Sequence, residues 1–418
     1  SLFYVGYLNF LLILSVLVLV ALKLHSMVFV ERDYYPDLAR AASVRVPESL
    51  RVAMFTNNFL PFIGGVPISI DRLGRGLTEL GHRVLVVAPE YDDEQKEDEA
   101  RDGAADEEAS CDVLRVPTLV PFGRESDFRV ANILHRGIRP RIDDFEPDVI
   151  HVHHPIWLGS RGLREARRLG VPAVYTYHTR LEHYAHYVPL PGRLFRNLVS
   201  HYLVRRFANR CAGVIVPTYA VKDYLRTVGV KSRILVQPTG IDCARFEAVD
   251  EGAVAGLRRS LGLEDERILL TVSRLGREKN IDFMLDAVHR LRESTDVPFR
   301  LVLVGDGDDR ERLAGHARRL GLDDIVRFAG EEPPEDVPAF CRVADVFVFS
   351  SESETQGIVL LEAMAAGLPA VAVRASGIDD VVHDGWNGFK TSRDRVAWAE
   401  RVARLLEDEP LRREMAVD

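Results

Sequence analysis

The chain has 418 residues, 47% of them hydrophobic and 28% charged, a globular balance in a chain too long for one ordinary domain and suited to two. Its net charge of −9 comes wholly from Asp92 to Asp112, which holds eleven acids and two bases, so the remainder is formally neutral and nothing in it resembles a nucleic-acid-binding surface. Four scattered cysteines, Cys111, Cys211, Cys243 and Cys341, form no C-x-x-C pair; this usage points away from a disulfide framework or zinc knuckle and fits a reducing compartment.

The first predicted element is apolar. Leu2 to Leu22 runs for 21 residues without a charge. At ~1.5 Å per residue such a helix spans about 30 Å, the thickness of a bilayer core. Lys23, His25, Arg32 and Arg40 follow it and no base precedes it. The positive-inside rule then places the rest of the chain on the cytoplasmic side of the cell membrane, with residues 1–26 as a transmembrane anchor. A cleaved signal peptide fits less well, because a basic leading region and an A-x-A site are missing. Met27 offers an alternative start to a soluble chain.

From Arg51 the pattern becomes α/β. R-V-A-M-F-T-N reads as a strand, followed by a glycine-containing loop, a helix over Ser69 to Leu80 and the strand H-R-V-L-V-V-A-P. The acidic run reads as a solvated loop. D-V-I-H-V-H-H, P-A-V-Y-T-Y-H, G-V-I-V-P-T and I-L-V-Q-P continue the strands, with helices near Arg161 to Leu169 and Pro191 to Asn209 between them. The pattern restarts after P-T-G-I-D at Pro238. Strands R-I-L-L-T-V-S, R-L-V-L-V-G, I-V-R-F-A-G, D-V-F-V-F-S and P-A-V-A-V-R alternate with helices at Ile281 to Arg292, Asp309 to Leu320 and Ile358 to Ala366. Alternation of this kind predicts parallel sheets. The expected architecture is two tandem Rossmann-like, doubly wound domains, 51–238 and 239–418, with ligands held between them at the carboxyl ends of the strands.

The richest run is S-E-S-E-T-Q-G-I-V-L-L-E-A-M-A-A-G-L-P. It sets Glu354 before a helix N-terminus at Gly357-Ile358 and Glu362 about one turn inside it. Free N–H groups and the helix dipole there suit phosphate, and carboxylates on either side suit hydroxyls. Two solvated acids on a surface helix are the plain alternative. Arg274 and Lys279 bracket the strand-to-helix turn S-R-L-G-R-E-K-N and can flank a diphosphate. Gly64 and Gly65 follow the first strand and permit close approach of backbone to ligand. Phe328 ends a strand, where it either offers backbone to a nucleobase or fills the core. His178 ends P-A-V-Y-T-Y-H at the cleft edge. His151 and His153 share one face of their strand and His154 the other, and no carboxylate or cysteine completes a metal set. No metal and no cofactor is expected. The basic stretch Pro191 to Arg210 suits either anionic lipid or a sheet-covering role.

Over roughly Arg51 to Val402 these motifs resemble the retaining GT-B glycosyltransferases with paired glutamates, of the group 1, family 4 type. The resemblance implies that Glu354 contacts the donor sugar, Glu362 the ribose, and Arg274 with Lys279 the diphosphate. It implies that Gly64, Gly65, Gly357 and Ile358 approach phosphate or sugar, and that His178 is the cleft histidine. H-T-R-L-E-H-Y-A-H-Y-V-P is similar to a run in bacterial diacylglycerol glucosyltransferases, where the position of Glu182 belongs to the acceptor side. The acidic loop and an end at Asp418, short of the helix that crosses back in that fold, depart from the pattern. The expected partners are a nucleotide-sugar, UDP-glucose first, a lipid acceptor such as diacylglycerol, and a membrane. GDP-mannose or UDP-GlcNAc with another lipid or polysaccharide, and a nucleotide-sugar epimerase, are the alternatives.

Overall fold

The computed structural model describes residues 48–62, 64–91, 111–121, 129–178, 180, 199–263 and 265–417. The apolar run 2–22, most of the acidic loop, and Glu182 with the rest of 181–198 lie outside these residues.

The first unit runs β1 (Arg51–Phe55), α1 (Gly65–Glu79), β2 (Arg83–Pro89), β3 (Asp112–Val116), β4 (Thr118–Pro121), β5 (Arg129–Ala131), α2 (Ile138–Phe145) and β6 (Val149–Val152). It continues with α3 (Leu158–Leu169), β7 (Ala173–Thr176), α4 (His201–Ala208), β8 (Gly213–Val216), α5 (Tyr219–Val228) and β9 (Arg233–Val236). Its sheet is wholly parallel in the order β3-β2-β1-β6-β7-β8-β9, with β4 and β5 pairing antiparallel beside it.

The second unit begins with α6 (Ala244–Glu247), α7 (Glu251–Ser260), β10 (Arg267–Val272), α8 (Ile281–Arg292), β11 (Phe299–Val304), α9 (Arg310–Arg319), β12 (Val326–Gly330) and α10 (Val337–Val343). It ends with β13 (Val346–Phe349), α11 (Ile358–Ala365), β14 (Ala370–Val373), β15 (Gly388–Thr391), α12 (Arg395–Glu407) and α13 (Glu409–Val417). Its parallel sheet is ordered β12-β11-β10-β13-β14-β15.

Both sheets carry helices on both faces, which is why strands such as V-F-V-F and A-V-A-V read as unbroken apolar runs, buried throughout. Each sheet reverses its order once, between β1 and β6 and between β10 and β13. Those reversals open crevices at the carboxyl ends of the strands, and the two crevices face each other. The fold is GT-B, as the motifs predict.

One helix boundary differs from the spacing. α1 starts at Gly65 rather than Ser69, because Pro67 sits in the first turn, where a missing N–H breaks no helical bond. The described part of the basic stretch, α4, buries Val204, Phe207 and Ala208 against the sheet, and the Phe207 ring meets Tyr175 edge-on at 5.0 Å. This part serves as a sheet cover. Among the described residues no helix is long and apolar enough to cross a membrane.

Candidate active site

Between the sheets lies a cleft of about 1770 Å³. Gly64, Gly65 and His178 line it from the first unit, and Arg274, Lys279, Glu354, Gly357, Ile358 and Glu362 from the second. Phe328 is not among its lining residues; its side chain packs against the core under β12, and the cleft end of that strand is walled by Glu331 and Glu332 instead.

The floor is the turn from β13 into α11. Gly357 takes a left-handed φ of 65° immediately before the helix, and a Cβ there would press on Ile378 and Leu360 at 3.0 and 3.1 Å. That turn leaves the first N–H groups of α11 facing the cleft. The loop before it carries Glu354 and is gripped from several sides. Ser350 Oγ donates to the Lys279 carbonyl at 2.7 Å, and Asn280 Nδ2 donates to the Ser350 carbonyl and to Glu352. Thr355 Oγ1 donates to the His178 carbonyl at 2.7 Å, while Thr218 Oγ1 donates to the Thr355 carbonyl at 3.1 Å. The Gln356 amide accepts from Thr239 N–H at 2.9 Å and donates to the Thr239 carbonyl at 3.0 Å. Behind the loop, a Cβ at Gly377 would sit 2.3 Å from the Glu354 carbonyl oxygen, so only glycine lets the two backbones meet.

Charge is paired within the cleft. Lys279 Nζ lies 2.6 Å from Glu354 Oε1. Burial opposes the charge on Glu354, but the Lys279 ammonium, its hydrogen bond and the Ser351 hydroxyl outweigh it and hold the carboxyl below its ordinary range. Arg274 Nη2 donates to Glu278 Oε1 at 2.8 Å, which fixes the guanidinium at the cleft wall through a carboxylate almost fully buried. Arg72 Nη2 reaches across from α1 to Glu362 Oε1 at 2.8 Å.

The histidines of D-V-I-H-V-H-H bind one another and their neighbours. His153 Nδ1 and His178 Nε2 are 2.9 Å apart, and His151 Nε2 is 2.6 Å from Thr176 Oγ1. His154 Nδ1 accepts from Asn57 N–H. Burial pushes His178 down to about 3, helped by His154 and His151, and pushes His151 and His154 down to about 4. His153 falls well below its ordinary value for the same reason. The rings are therefore neutral at physiological pH, and His178 meets the cleft as an imidazole, not an imidazolium. Among the described residues no cluster of three or more metal-ligating side chains occurs.

Sequence reasoning missed Arg72, His153, Gln356 and Gly377. Gln356 stood inside the most telling motif. Arg72 follows Gly65 by seven residues, two helical turns, and so shares its face. His153 reads from the sequence only as a metal-ligand candidate, and Gly377 carries no signal at all.

With the geometry in place, comparison with known proteins adds the lineage. Residues 63–245 match the profile described as Glycosyltransferase Family 4, and residues 256–417 match Glycosyl transferases group 1. The chain is 33% identical over 341 residues to an alpha-monoglucosyldiacylglycerol synthase of Streptococcus pneumoniae, covering 80% of this chain and 74% of that one. It is also 33% identical over 336 residues to a GDP-mannose-dependent alpha-mannosyltransferase of Mycobacterium tuberculosis, covering 80% and 81%. In fold it is similar to Anabaena HepE in complex with UDP and glucose, with a TM-score of 0.69, 22% identity, and 88% and 92% of the two chains covered. Paired glutamates flanking a helix N-terminus, cations opposite them and these matches agree, and the chain belongs to the group 1, family 4 glycosyltransferases.

Proposed function

We propose that this glycosyltransferase moves glucose from UDP-glucose to a lipid hydroxyl such as that of diacylglycerol, at the cytoplasmic face of a membrane and with the anomeric configuration kept. One observation carries the donor side of this reading: Lys279 paired with Glu354 at 2.6 Å, beside the N-terminus of α11 and facing the cleft that His178 also lines. Negative charge builds on the departing diphosphate as the sugar–phosphate bond breaks. Lys279, Arg274 and the N–H groups after Gly357 lie where they can stabilise it electrostatically. Glu354 accepts hydrogen bonds from sugar hydroxyls, and Glu362 does the same for the ribose. Neutral His178 binds the sugar from the opposite wall. A same-face attack assisted by the leaving phosphate needs no protein nucleophile.

On the acceptor side, support comes from the H-T-R-L-E-H-Y run with Glu182, from the apolar stretch 2–22, and from the relatives named for diacylglycerol. The mannosyltransferase at equal identity favours a second donor, GDP-mannose. The test is transfer of labelled glucose or mannose from UDP-glucose or GDP-mannose by the full chain, with diacylglycerol vesicles, followed by organic extraction. Organic-phase glucose that requires diacylglycerol is the expected result. Label left in water with both donors would overturn the lipid acceptor, and an inverted linkage in the product would overturn retention.

A further inference from the structure

We propose that Arg72 is a donor-positioning residue, supplied by the opposite domain, which sets and neutralises the Glu362 carboxylate so that it can take the donor ribose. This deepens the reading above and rests on Glu362 being the ribose acceptor.

The helices α1 and α11 approach each other at the cleft. A Cβ at Gly65, the first residue of α1, would stand 4.0 Å from Ile358 Cδ1, the first residue of α11. Two turns into α1 and one turn into α11, Arg72 Nη2 donates to Glu362 Oε1 at 2.8 Å. The other end of the fork is fixed as well: Arg72 Nη1 donates to the Gly240 carbonyl at 3.2 Å. One turn earlier, Ser69 Oγ lies 2.9 Å from Thr239 Oγ1, which ties the same helix face to the same linker. The side chains of Arg72 and Glu362 are only 21% and 12% exposed, so the pair is partly withdrawn from water.

Geometry and charge point the same way. A carboxylate offers about four lone-pair sites. Arg72 uses one, on Oε1, and leaves the second oxygen and a lone pair of the first for two vicinal hydroxyls. A carboxylate left alone would repel an arriving diphosphate. Lys279 removes that penalty for Glu354 from within the second unit, and Arg72 removes it for Glu362 from the first. A guanidinium held at two points also limits the rotamers of Glu362, so the carboxylate is preorganised before the nucleotide arrives.

The test uses the full chain and UDP or GDP, whichever binds it, titrated by calorimetry into Arg72→Met, Arg72→Lys, Glu362→Ala and the Arg72→Met/Glu362→Ala double variant. Arg72→Met should weaken nucleotide binding about tenfold, the scale of one lost hydrogen bond to a charged group. Arg72→Lys should recover part of that loss. In the Glu362→Ala background Arg72→Met should change the Kd less than twofold, because the two act as one unit. The 2′,3′-dideoxy nucleoside diphosphate should bind Glu362→Ala and the double variant alike, and should lose less than the parent nucleotide does on Arg72→Met, since only the repulsion of its diphosphate remains. An additive double variant, a silent Arg72→Met or one that binds tighter overturns the proposal, provided Glu362→Ala itself binds weakly. If Glu362→Ala binds as the parent does, the ribose reading of Glu362 fails instead, and the positioning role with it. Thermal melts of each variant separate a lost contact from a lost fold: equal loss of nucleotide and acceptor binding with a large fall in Tm makes Arg72 a structural tie only.

Discussion

Lys279 Nζ and Glu354 Oε1 stand 2.6 Å apart, so the cation proposed for the diphosphate and the carboxylate proposed for the sugar neutralise each other across the cleft floor. A donor that inserts between them exchanges one ion pair for two sets of contacts. Lys279→Met should therefore cut kcat by about 10²–10³-fold, the usual cost of removing one donor aimed at developing charge. Lys279→Arg should retain charge but not the short contact and fall in between. Initial rates at saturating acceptor decide it: Lys279→Met within tenfold of the parent would remove the residue from the mechanism.

His178 reaches the cleft with its Nε2 engaged by His153 Nδ1 at 2.9 Å. His153→Asn keeps a polar atom near the Nδ1 position, whereas His153→Phe removes it. The first should retain most of kcat. The second should lose activity towards the level of His178→Ala, with donor KM moved much less than kcat. Equal loss in the two His153 variants would point to packing rather than to the hydrogen bond.

Buried neutral histidines make the first unit acid-labile. In the folded chain His151 titrates near 4 and His153 well below its ordinary value, against about 6.5 for the free ring. Between those limits the unfolded state binds more protons, so stability rises with pH there and is lost as pH falls below 6.5. For His151 the loss should be on the order of 1 kcal/mol at pH 5.5 relative to pH 7.5, with His153 acting in the same direction. Urea unfolding at both pH values checks this, and a His151→Gln variant should flatten part of the slope. A pH-independent midpoint would show that these rings are hydrated.

Gly377 lies against the backbone of the Glu354 loop, with space for no Cβ. Gly377→Ala should push that loop toward the cleft. A displacement of about 1 Å is enough to cost on the order of 10²-fold in rate, while circular dichroism and Tm change little, because the core strands are untouched. Near-normal activity would mean that the loop yields without moving Glu354.

Much of the fold was legible because doubly buried strands carry continuous apolar runs and amphipathic helices carry a 3.6-residue period. Ile281 to Arg292 is helical as the spacing predicts. β15 was not legible: G-F-K-T has one large apolar residue and is a strand only because it pairs along β14. Likewise the motifs gave the residues of single turns, such as Arg274 with Lys279 or Glu354 with Glu362. Spacing could not give Arg72 against Glu362, 290 residues apart, or His153 against His178, because these meet only once elements distant in the chain have docked. Phe328 shows the converse: its strand was legible, but the residue stands in the middle of β12, and the facing of its side chain into the core depends on the pleat.

The Gln356 amide holds both peptide groups of Thr239. Thr239 sits between β9 of the first sheet and α6 at the start of the second unit, and Gln356 is two residues from Glu354. The linker and the loop that carries Glu354 are thus clasped at two points, so a displacement of either bears directly on the other.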